Sequence, residues 1–252
     1  MAERLSNFHT HTVLCDGKDQ PEELVLEALR LGCPAIGFSG HSYAPYDEAY
    51  CMSPEQTETY RAEIRRLQEA YAGRIRIYMG IEQDLYSPSS TAGYDYVIGS
   101  VHYLRKDGVY LPIDASRQLQ EQGVREHYAG DWYAFAEDYF AAVSQVYDRT
   151  GCQVVGHFDL LTKFNQGDAL FSTEHPRYRR AVCRALDALS AAPVVFEINT
   201  GAISRGYRQE PYPARWIVEE LRRRGIRRIL SSDCHARENL LFGFEEFGDW
   251  IR

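Results

Sequence analysis

The sequence predicts an α/β fold in which parallel strands alternate with helices. Short runs rich in β-branched and apolar residues alternate with helical segments along the 252 residues, which is the order of parallel βα units. Hydrophobic residues make up 44% and charged residues 25% of the chain, an ordinary composition for a globular protein. No linker, repeat or low-complexity tract interrupts the alternation, so we expect a single domain over residues 1–252.

Residues that favour helix ends indicate five helices. Pro21 and neighbouring acidic residues open the first helix, which Gly32 closes. The segment Ser53-Pro54-Glu55-Gln56 has the pattern of a capping box and opens the second helix, which ends near Gly73. The other three are predicted at about 131–149, 173–190 and 213–224, and a glycine follows the first and last of them.

Seven segments between these helices have the composition of strands, and residues 103–113 resemble a hairpin folded on Asp107-Gly108. Seven parallel strands can close into a barrel or form an open doubly wound sheet, and composition and order leave both open. The predicted strands are 5–8, 34–39, 75–80, 94–100, 154–156, 194–198 and 226–231.

The bulk properties exclude several classes of protein. The net charge is -8 without a Lys/Arg-rich run, which argues against a nucleic-acid partner because such partners require many neutralised phosphates. No apolar run approaches the roughly 20 residues of a membrane span, and no apolar signal segment follows Met1. Six scattered cysteines without a Cys-x-x-Cys pair favour free thiols and a cytoplasmic location. The sequence gives no indication of oligomeric state.

Histidines and carboxylates follow the predicted strands. His9 and His11 are two residues apart, a spacing that aims both side chains to one side of a strand, and Asp233 and His235 repeat it after the last strand. Because the C-terminal ends of barrel strands meet on one face, we expect a metal-dependent hydrolase site there. The residues at successive strand ends are His9, His11, His41, Glu82, His102, His157, Asn199, Asp233 and His235.

Single residues in this pattern have simpler explanations. A lone histidine at a strand end is more often a hydrogen-bonded structural residue, but the two paired spacings favour metal ligation. His127 and His175 lie away from the strand ends and are interpreted as surface residues. Asp16 can fold back over the strand mouth because Gly17 permits a tight turn, or it can form an Asx turn before the helix.

The motifs around these residues resemble the polymerase-and-histidinol-phosphatase (PHP) family. They extend from about residue 7 to 240, and the segment Glu197-Ile-Asn199-Thr-Gly-Ala-x-x-Arg205 is most similar to the histidinol-phosphate phosphatases of that family. The motifs are His9-Thr-His11-Thr-x-x-Cys-Asp16-Gly17, Gly-Phe-Ser-Gly-His41, Gly-Ile-Glu82, Gly-Ser-Val-His102, Gly-His157-Phe-Asp and Ser-Ser-Asp233-Cys-His235.

The resemblance implies a distorted, TIM-like (β/α)7 barrel of parallel strands with its metal site at the C-terminal face. It also implies three divalent ions, which can be Zn, Fe or Mn because His/carboxylate sites accept each of these metals. The implied ligands are His9, His11, Glu82 and Asp233 for the first ion, Glu82, His102 and His157 for the second, and Asp16, His41 and His235 for the third.

The charge of such a centre favours a phosphate ester as substrate. Three divalent ions carry about +6 and their three carboxylate ligands about −3, which leaves about +3 to attract a phosphate dianion. We therefore expect a phosphomonoesterase that uses a metal-bridging hydroxide, and the family resemblance implies L-histidinol phosphate as its substrate. Glu82, Asp233 and His235 are the candidate catalytic residues, with His235 assisting the leaving group.

Three further residues are candidates for substrate binding. Arg205 has the forked donor geometry that suits a phosphate, and Asn199 is expected to donate or accept a hydrogen bond. Lys163 stands in Thr162-Lys163, where the histidinol phosphatases carry an arginine, and offers a point charge without that fork.

Other functions are compatible with parts of the pattern. A nucleotide phosphodiesterase or exonuclease would use the same cluster but favours basic flanks, which this acidic chain does not have. A phosphotyrosine or sugar-phosphate phosphatase would differ only in its pocket lining. A C–N hydrolase of a related barrel often bridges its metals with a modified lysine, and no predicted strand end carries a lysine. A non-catalytic domain is disfavoured because all the ligand positions are filled.

Overall fold

The computed structural model describes residues 6–252 as a curved parallel sheet surrounded by helices. The strands are β1 Ala35–Phe38, β2 Arg76–Asp84, β3 Tyr96–Ser100, β4 Tyr103–Lys106, β5 Val109–Pro112, β6 Val154–Val155, β7 Val195–Asn199 and β8 Arg228–Ser231. The helices are α1 Pro21–Arg30, α2 Pro54–Ala70, α3 Arg117–His127, α4 Trp132–Val143, α5 Val146–Thr150, α6 Pro176–Leu189, α7 Gly201–Ser204, α8 Arg215–Arg223 and α9 Phe244–Phe247.

Six of the strands form one parallel sheet in the order β1-β2-β3-β6-β7-β8, and β4 and β5 form a separate antiparallel hairpin. The hairpin turns at Asp107 and Gly108, which both have positive φ, as predicted. Each connection between neighbouring strands of the sheet is a crossover, so all six strands end on the same face.

Residues 7–11, before α1, close the sheet into a ring, and we call them the closing segment. Asn7 bridges to Ile36 on β1, and Thr10 bridges to Cys234 just after β8. The His11 amide donates to the Cys234 carbonyl at 2.8 Å. The predicted first strand is therefore reduced to two bridges, and its Leu5 lies outside the described residues. With this segment as the seventh member, the barrel prediction is confirmed and the open doubly wound alternative is wrong.

Tyr96 on β3 supports the closing segment from inside the ring. Its hydroxyl lies 2.5 Å from the Phe8 carbonyl and 3.0 Å from the Phe38 carbonyl. Gly37 and Gly80 lie beside the tyrosine ring, and a Cβ at either position would overlap it. Two glycines thus provide the space for a side chain that joins the closing segment to β1.

The helices pack apolar faces against the sheet. On α2, Tyr60, Ile64 and Leu67 are fully buried, and their spacing of four and three residues defines one face of a helix. The capping box at the start of α2 is present, since the Gln56 amide donates to Ser53 Oγ at 3.1 Å and the Ser53 amide donates to Gln56 Oε1 at 2.8 Å.

Two predicted elements differ from the structure in their bounds, and the helix α3 has no counterpart among the predictions. The helix predicted over 131–149 is divided into α4 and α5, and β2 continues beyond Gly80 to Asp84. The helix α3 was not predicted, because only Gln120 and Val124 of its residues are buried and no apolar stripe marks it. All six cysteines are free, as expected. None of the helices within residues 6–252 has the length and apolar character of a membrane span.

Candidate metal centre

The structure brings all nine predicted metal ligands together at the C-terminal ends of the strands. His9 and His11 lie on the closing segment, and Glu82 lies within β2 instead of after it. The others lie in the loops that follow strands or, for Asp16, in the turn after the closing segment. Asp16 and His235 are the most exposed of the nine, and the rest are buried.

Glu82 is at the centre of the cluster. Its Oε2 lies 3.1 Å from His9 Nε2 and 3.1 Å from His41 Nδ1. Its Oε1 lies 2.9 Å from His157 Nε2 and 3.3 Å from His102 Nε2. The two oxygens of one carboxylate therefore face two separate sets of imidazoles, which is the arrangement that a bridging ligand requires.

Carboxylates join the remaining histidines at both sides of Glu82. Asp233 Oδ1 lies 3.2 Å from His11 Nε2. Asp16 Oδ2 lies 3.1 Å from His235 Nε2 and 3.6 Å from His41 Nε2. Three overlapping groups thus place donor atoms within 4.8 Å of one another, as a metal ion needs: His11, Asp16, His41 and His235; His9, His11 and Asp233; and His41, Glu82 and His102.

Unpaired polar atoms show that these residues fit a metal. Within residues 6–252, His9 Nε2, His11 Nε2 and Glu82 Oε2 are buried without a hydrogen-bond partner. Buried polar atoms in proteins are nearly always paired, and leaving one unpaired costs about 1–3 kcal/mol. A bound cation would use these lone pairs, and imidazole with carboxylate is a donor set that Zn, Fe and Mn accept.

The buried histidines and carboxylates of the cluster shift one another's pKa values. Burial opposes protonation of His9, but Glu197, Glu82 and Asp233 outweigh it and raise its pKa well above the usual value. Burial likewise opposes ionisation of Glu82, but the surrounding histidines hold its pKa well below the usual range. His11 differs, because burial lowers its pKa to about 3. Metal binding would therefore displace protons from the cluster.

Glu197, on β7, is a buried carboxylate that orients two ligands and was not predicted as a site residue. Its Oε1 lies 2.5 Å from His9 Nδ1, and its Oε2 accepts the His157 amide at 2.8 Å. A carboxylate on one ring nitrogen of a histidine leaves the other nitrogen available for a metal. A glutamate within an apolar parallel strand, Val-Phe-Glu-Ile-Asn, is the sequence signal that could have found it.

Asp84 plays the same part for His102. Its Oδ2 accepts the His102 amide at 3.0 Å and lies 3.3 Å from His102 Nδ1. The other oxygen accepts the Tyr46 hydroxyl at 2.5 Å. The sequence prediction ended β2 at Gly80, so Asp84 was placed in a loop and its alternation with Glu82 on one strand was not recognised.

A tight turn places Asp16 over the mouth of the site. The Thr12 carbonyl accepts hydrogen bonds from the Cys15 and Gly17 amides, both at 3.0 Å. A Cβ at position 17 would lie 2.5 Å from the His11 carbonyl carbon, so only glycine permits this approach. The turn folds the carboxylate back over the strand mouth, which is the first of the two alternatives predicted for Asp16.

The three candidate substrate residues have different surroundings. Arg205 Nη2 donates to Asp233 Oδ2 at 3.0 Å, and Lys163 Nζ donates to the Asp114 carbonyl at 2.8 Å. Both line a cavity of about 300 Å³ above the ligands. Asn199 is fully buried and donates to Glu197 Oε2 at 3.0 Å. It therefore lies behind the ligands, away from the cavity wall.

This geometry defines the chain as a parallel α/β barrel with a His/carboxylate metal centre at its C-terminal face. The model of the PHP domain family matches residues 7–201, well over half of the chain, so this protein belongs to the PHP domain family. Asp233 and His235 lie beyond the matched range, but they contact His11 and Asp16, which lie within it.

Relatives and solved structures agree with this assignment. A Deinococcus radiodurans protein named "Probable histidinol-phosphatase" is 32% identical, covering 98% of this chain and 93% of its own. The histidinol-phosphatase of Bacillus subtilis is 26% identical, covering 95% and 96%. A histidinol phosphate phosphatase of Lactococcus lactis, solved with zinc, L-histidinol and phosphate, has a TM-score of 0.75 at 20% identity over 98% of this chain and 92% of its own. At that identity the structural likeness supports the fold.

Proposed function

We propose that this protein is a metal-dependent phosphomonoesterase that hydrolyses L-histidinol phosphate to L-histidinol and phosphate. The observation that carries the proposal is the convergence of eight imidazole and carboxylate side chains around Glu82. Relatives of nearly full length are named histidinol-phosphatases. We place the activity in a single PHP domain over residues 1–252, because all the ligands project from one barrel.

We further propose three divalent ions, each Zn, Fe or Mn. The three overlapping donor groups support this number, and the Lactococcus lactis structure was solved with zinc. The proposed ligands are His9, His11, Glu82 and Asp233 for the first ion, Glu82, His102 and His157 for the second, and Asp16, His41 and His235 for the third.

The chain's own residues would hold the substrate and supply a proton. When bound, the ions lower the pKa of water toward neutrality and neutralise charge on the phosphoryl oxygens. Arg205, on the cavity wall and 3.0 Å from Asp233, would donate to the phosphate. Glu82 and Asp233, as proposed ligands, would hold the ions in position beside the phosphate. His235 lies at the mouth and would protonate the leaving oxygen, since its ring is partly exposed to the cavity.

Phosphate release tests this function. Protein supplied with Mn, Zn or Fe should release phosphate from L-histidinol phosphate, with metals quantified in the same preparation. The variant His9→Ala should lose the activity and bind less metal, because His9 Nε2 faces Glu82. The matched control is His127→Ala on α3, outside the cluster, which should retain both. Release from aryl phosphates but not from histidinol phosphate would support a phosphatase and overturn the substrate.

A further inference from the structure

The cavity above the proposed metal ligands is also lined by residues that are neither proposed ligands nor bonded to one, and we call these residues the second wall. This wall contains Asp47, Tyr103, Asp114, Lys163 and Tyr207. A phosphate group is drawn to the metal ions, so the alcohol half of a bound ester would extend toward the second wall. The side chains there are consequently the ones that can distinguish one phosphate ester from another.

The second wall carries more negative than positive charge. It has two carboxylates, Asp47 and Asp114, and one ammonium group, that of Lys163. Lys163 Nζ lies 3.0 Å from Asp114 Oδ2 and 4.9 Å above the ring of Tyr207. The net negative charge of the second wall would attract a cationic group on the alcohol half of a substrate.

The two carboxylates differ in the oxygen atoms that they leave free. Asp47 Oδ1 accepts the Ala49 amide at 3.1 Å, and Asp47 Oδ2 accepts the hydroxyl of Tyr103. Asp114 Oδ2 is held by Lys163, whereas Asp114 Oδ1 has no hydrogen-bond partner within residues 6–252. The Asp114 side chain is 26% exposed, so a ligand in the cavity can reach it.

Asp114 is also held in one orientation and in its ionised form. Lys163 is 12% exposed and donates to both the backbone carbonyl and the carboxylate of Asp114. Burial works against ionisation of Asp114, but Lys163 and the nearby His102 outweigh it and lower its pKa to about 2. An oriented carboxylate with one free oxygen is a strong acceptor for a charged N–H donor.

We propose that Asp114 is a specificity-determining residue that accepts a hydrogen bond from a protonated amine on the alcohol half of the substrate. The site then selects phosphate esters of amino alcohols over esters of neutral alcohols, and Lys163 positions Asp114 for this contact. The inference rests on the proposed function, because histidinol phosphate carries its amine on the carbon next to the ester-bearing carbon.

A matched pair of substrates tests this inference. L-Histidinol phosphate and 3-(imidazol-4-yl)propyl phosphate differ only in the amine, and kcat/KM is measured for both with the metal-loaded protein. Asp114→Asn should lower kcat/KM for histidinol phosphate by about 10- to 100-fold, because the protonated amine of the substrate loses a charged acceptor. Turnover of the deamino ester should stay close to that of the unmodified protein, which also shows that the variant is folded and holds metal.

The control is Asp187→Asn, which removes an acidic partner of Arg224 on the outer surface of α6 and should leave both esters unaffected. An equal fall for both esters in Asp114→Asn would overturn the inference, as would an unmodified protein that treats the two esters alike. Either result would leave the phosphatase activity standing. Hydrolysis of neither ester by the unmodified protein would instead overturn the proposed function, and the role of Asp114 with it.

Discussion

Glu197 shows how a residue outside the proposed ligand set can govern the centre. It is fully buried and contacts His9 Nδ1, the His157 amide and the hydroxyl of Ser231. Burial opposes its ionisation, but His9 outweighs this and lowers the pKa of Glu197. The carboxylate therefore fixes which nitrogen of His9 is left to bind a cation.

The variant Glu197→Gln tests this role. We expect its affinity for metal to fall about 10- to 100-fold, the usual effect of removing such a carboxylate, and phosphate release to recover partly at excess metal. Titration of the metal-free protein with Zn measures the affinity. Glu219→Gln, on the exposed side of α8, is the control. An unchanged affinity in Glu197→Gln would show that His9 needs no carboxylate to orient it.

Among the elements, the closing segment is the one that carries ligands without being a regular strand. Within residues 6–252 it has two bridges to its neighbours, and Tyr96 supplies a further link through the Phe8 and Phe38 carbonyls. His9 follows Phe8 directly, so this hydroxyl also helps to set the position of the first ligand.

Removal of that hydroxyl in Tyr96→Phe should lower the free energy of unfolding by about 1–3 kcal/mol, because the Phe8 and Phe38 carbonyls lose the single hydroxyl proton that they share. Urea denaturation measures the change. Tyr147→Phe is the matched control, since the Tyr147 hydroxyl makes no side-chain hydrogen bond within the part of the chain that the structure describes, and it should be nearly neutral. If Tyr96→Phe lost no more stability than Tyr147→Phe, the Tyr96 hydroxyl would contribute nothing. Tyr96 would then contribute through the packing of its ring alone, which both variants keep.

Elements with strong end signals could be predicted from the sequence, and those without them could not. Pro21 and the Ser53 capping box marked α1 and α2 because helix starts depend on local residues. No glycine or proline marks the break at Ser144 between α4 and α5. The first strand was predicted from its composition, but its reduction to two bridges depends on its partners elsewhere in the chain, Ile36 for Asn7 and Cys234 for Thr10.

The same distinction holds for the site. The nine ligands could be predicted because strand ends converge in any parallel barrel. A glutamate within an apolar strand marks Glu197 as unusual, but the roles of Glu197 and Asp114 could not be predicted, because they depend on which side chains of other strands and loops face them. Lys163 was predicted as a phosphate-binding charge, and the structure adds that its ammonium is held by Asp114, a contact that spans 49 positions.

At the scale of the whole molecule, metal binding should stabilise the fold. The proposed ligands come from the closing segment, β2 and the loops after four other strands, so a cation bound to them links distant parts of the barrel. Ligand at 100 times its Kd adds about 2.7 kcal/mol to stability, which corresponds to a rise in Tm of about 5–10 °C for a chain of this size.

Removal of metal by a chelator should therefore lower Tm by about that amount, and added Zn should restore it. Differential scanning calorimetry of the two forms measures the shift. The variant His9→Ala supplies the control, because a chelator should change its Tm much less. The same Tm with and without metal in the unmodified protein would contradict a structural contribution from the ions.

Asp16 and His235 are in contact although 219 positions separate them in the chain. A protein is synthesised from its N-terminus and its domains fold as units, so a ribosome-bound chain exposes His9 and His11 long before Asp233 and His235 emerge. Until then the ring is open and the early histidines lack Asp233, one of their carboxylate partners. The proposed set of ions would therefore be completed only after translation, and the nascent chain would present exposed imidazoles to whatever metals the cell supplies.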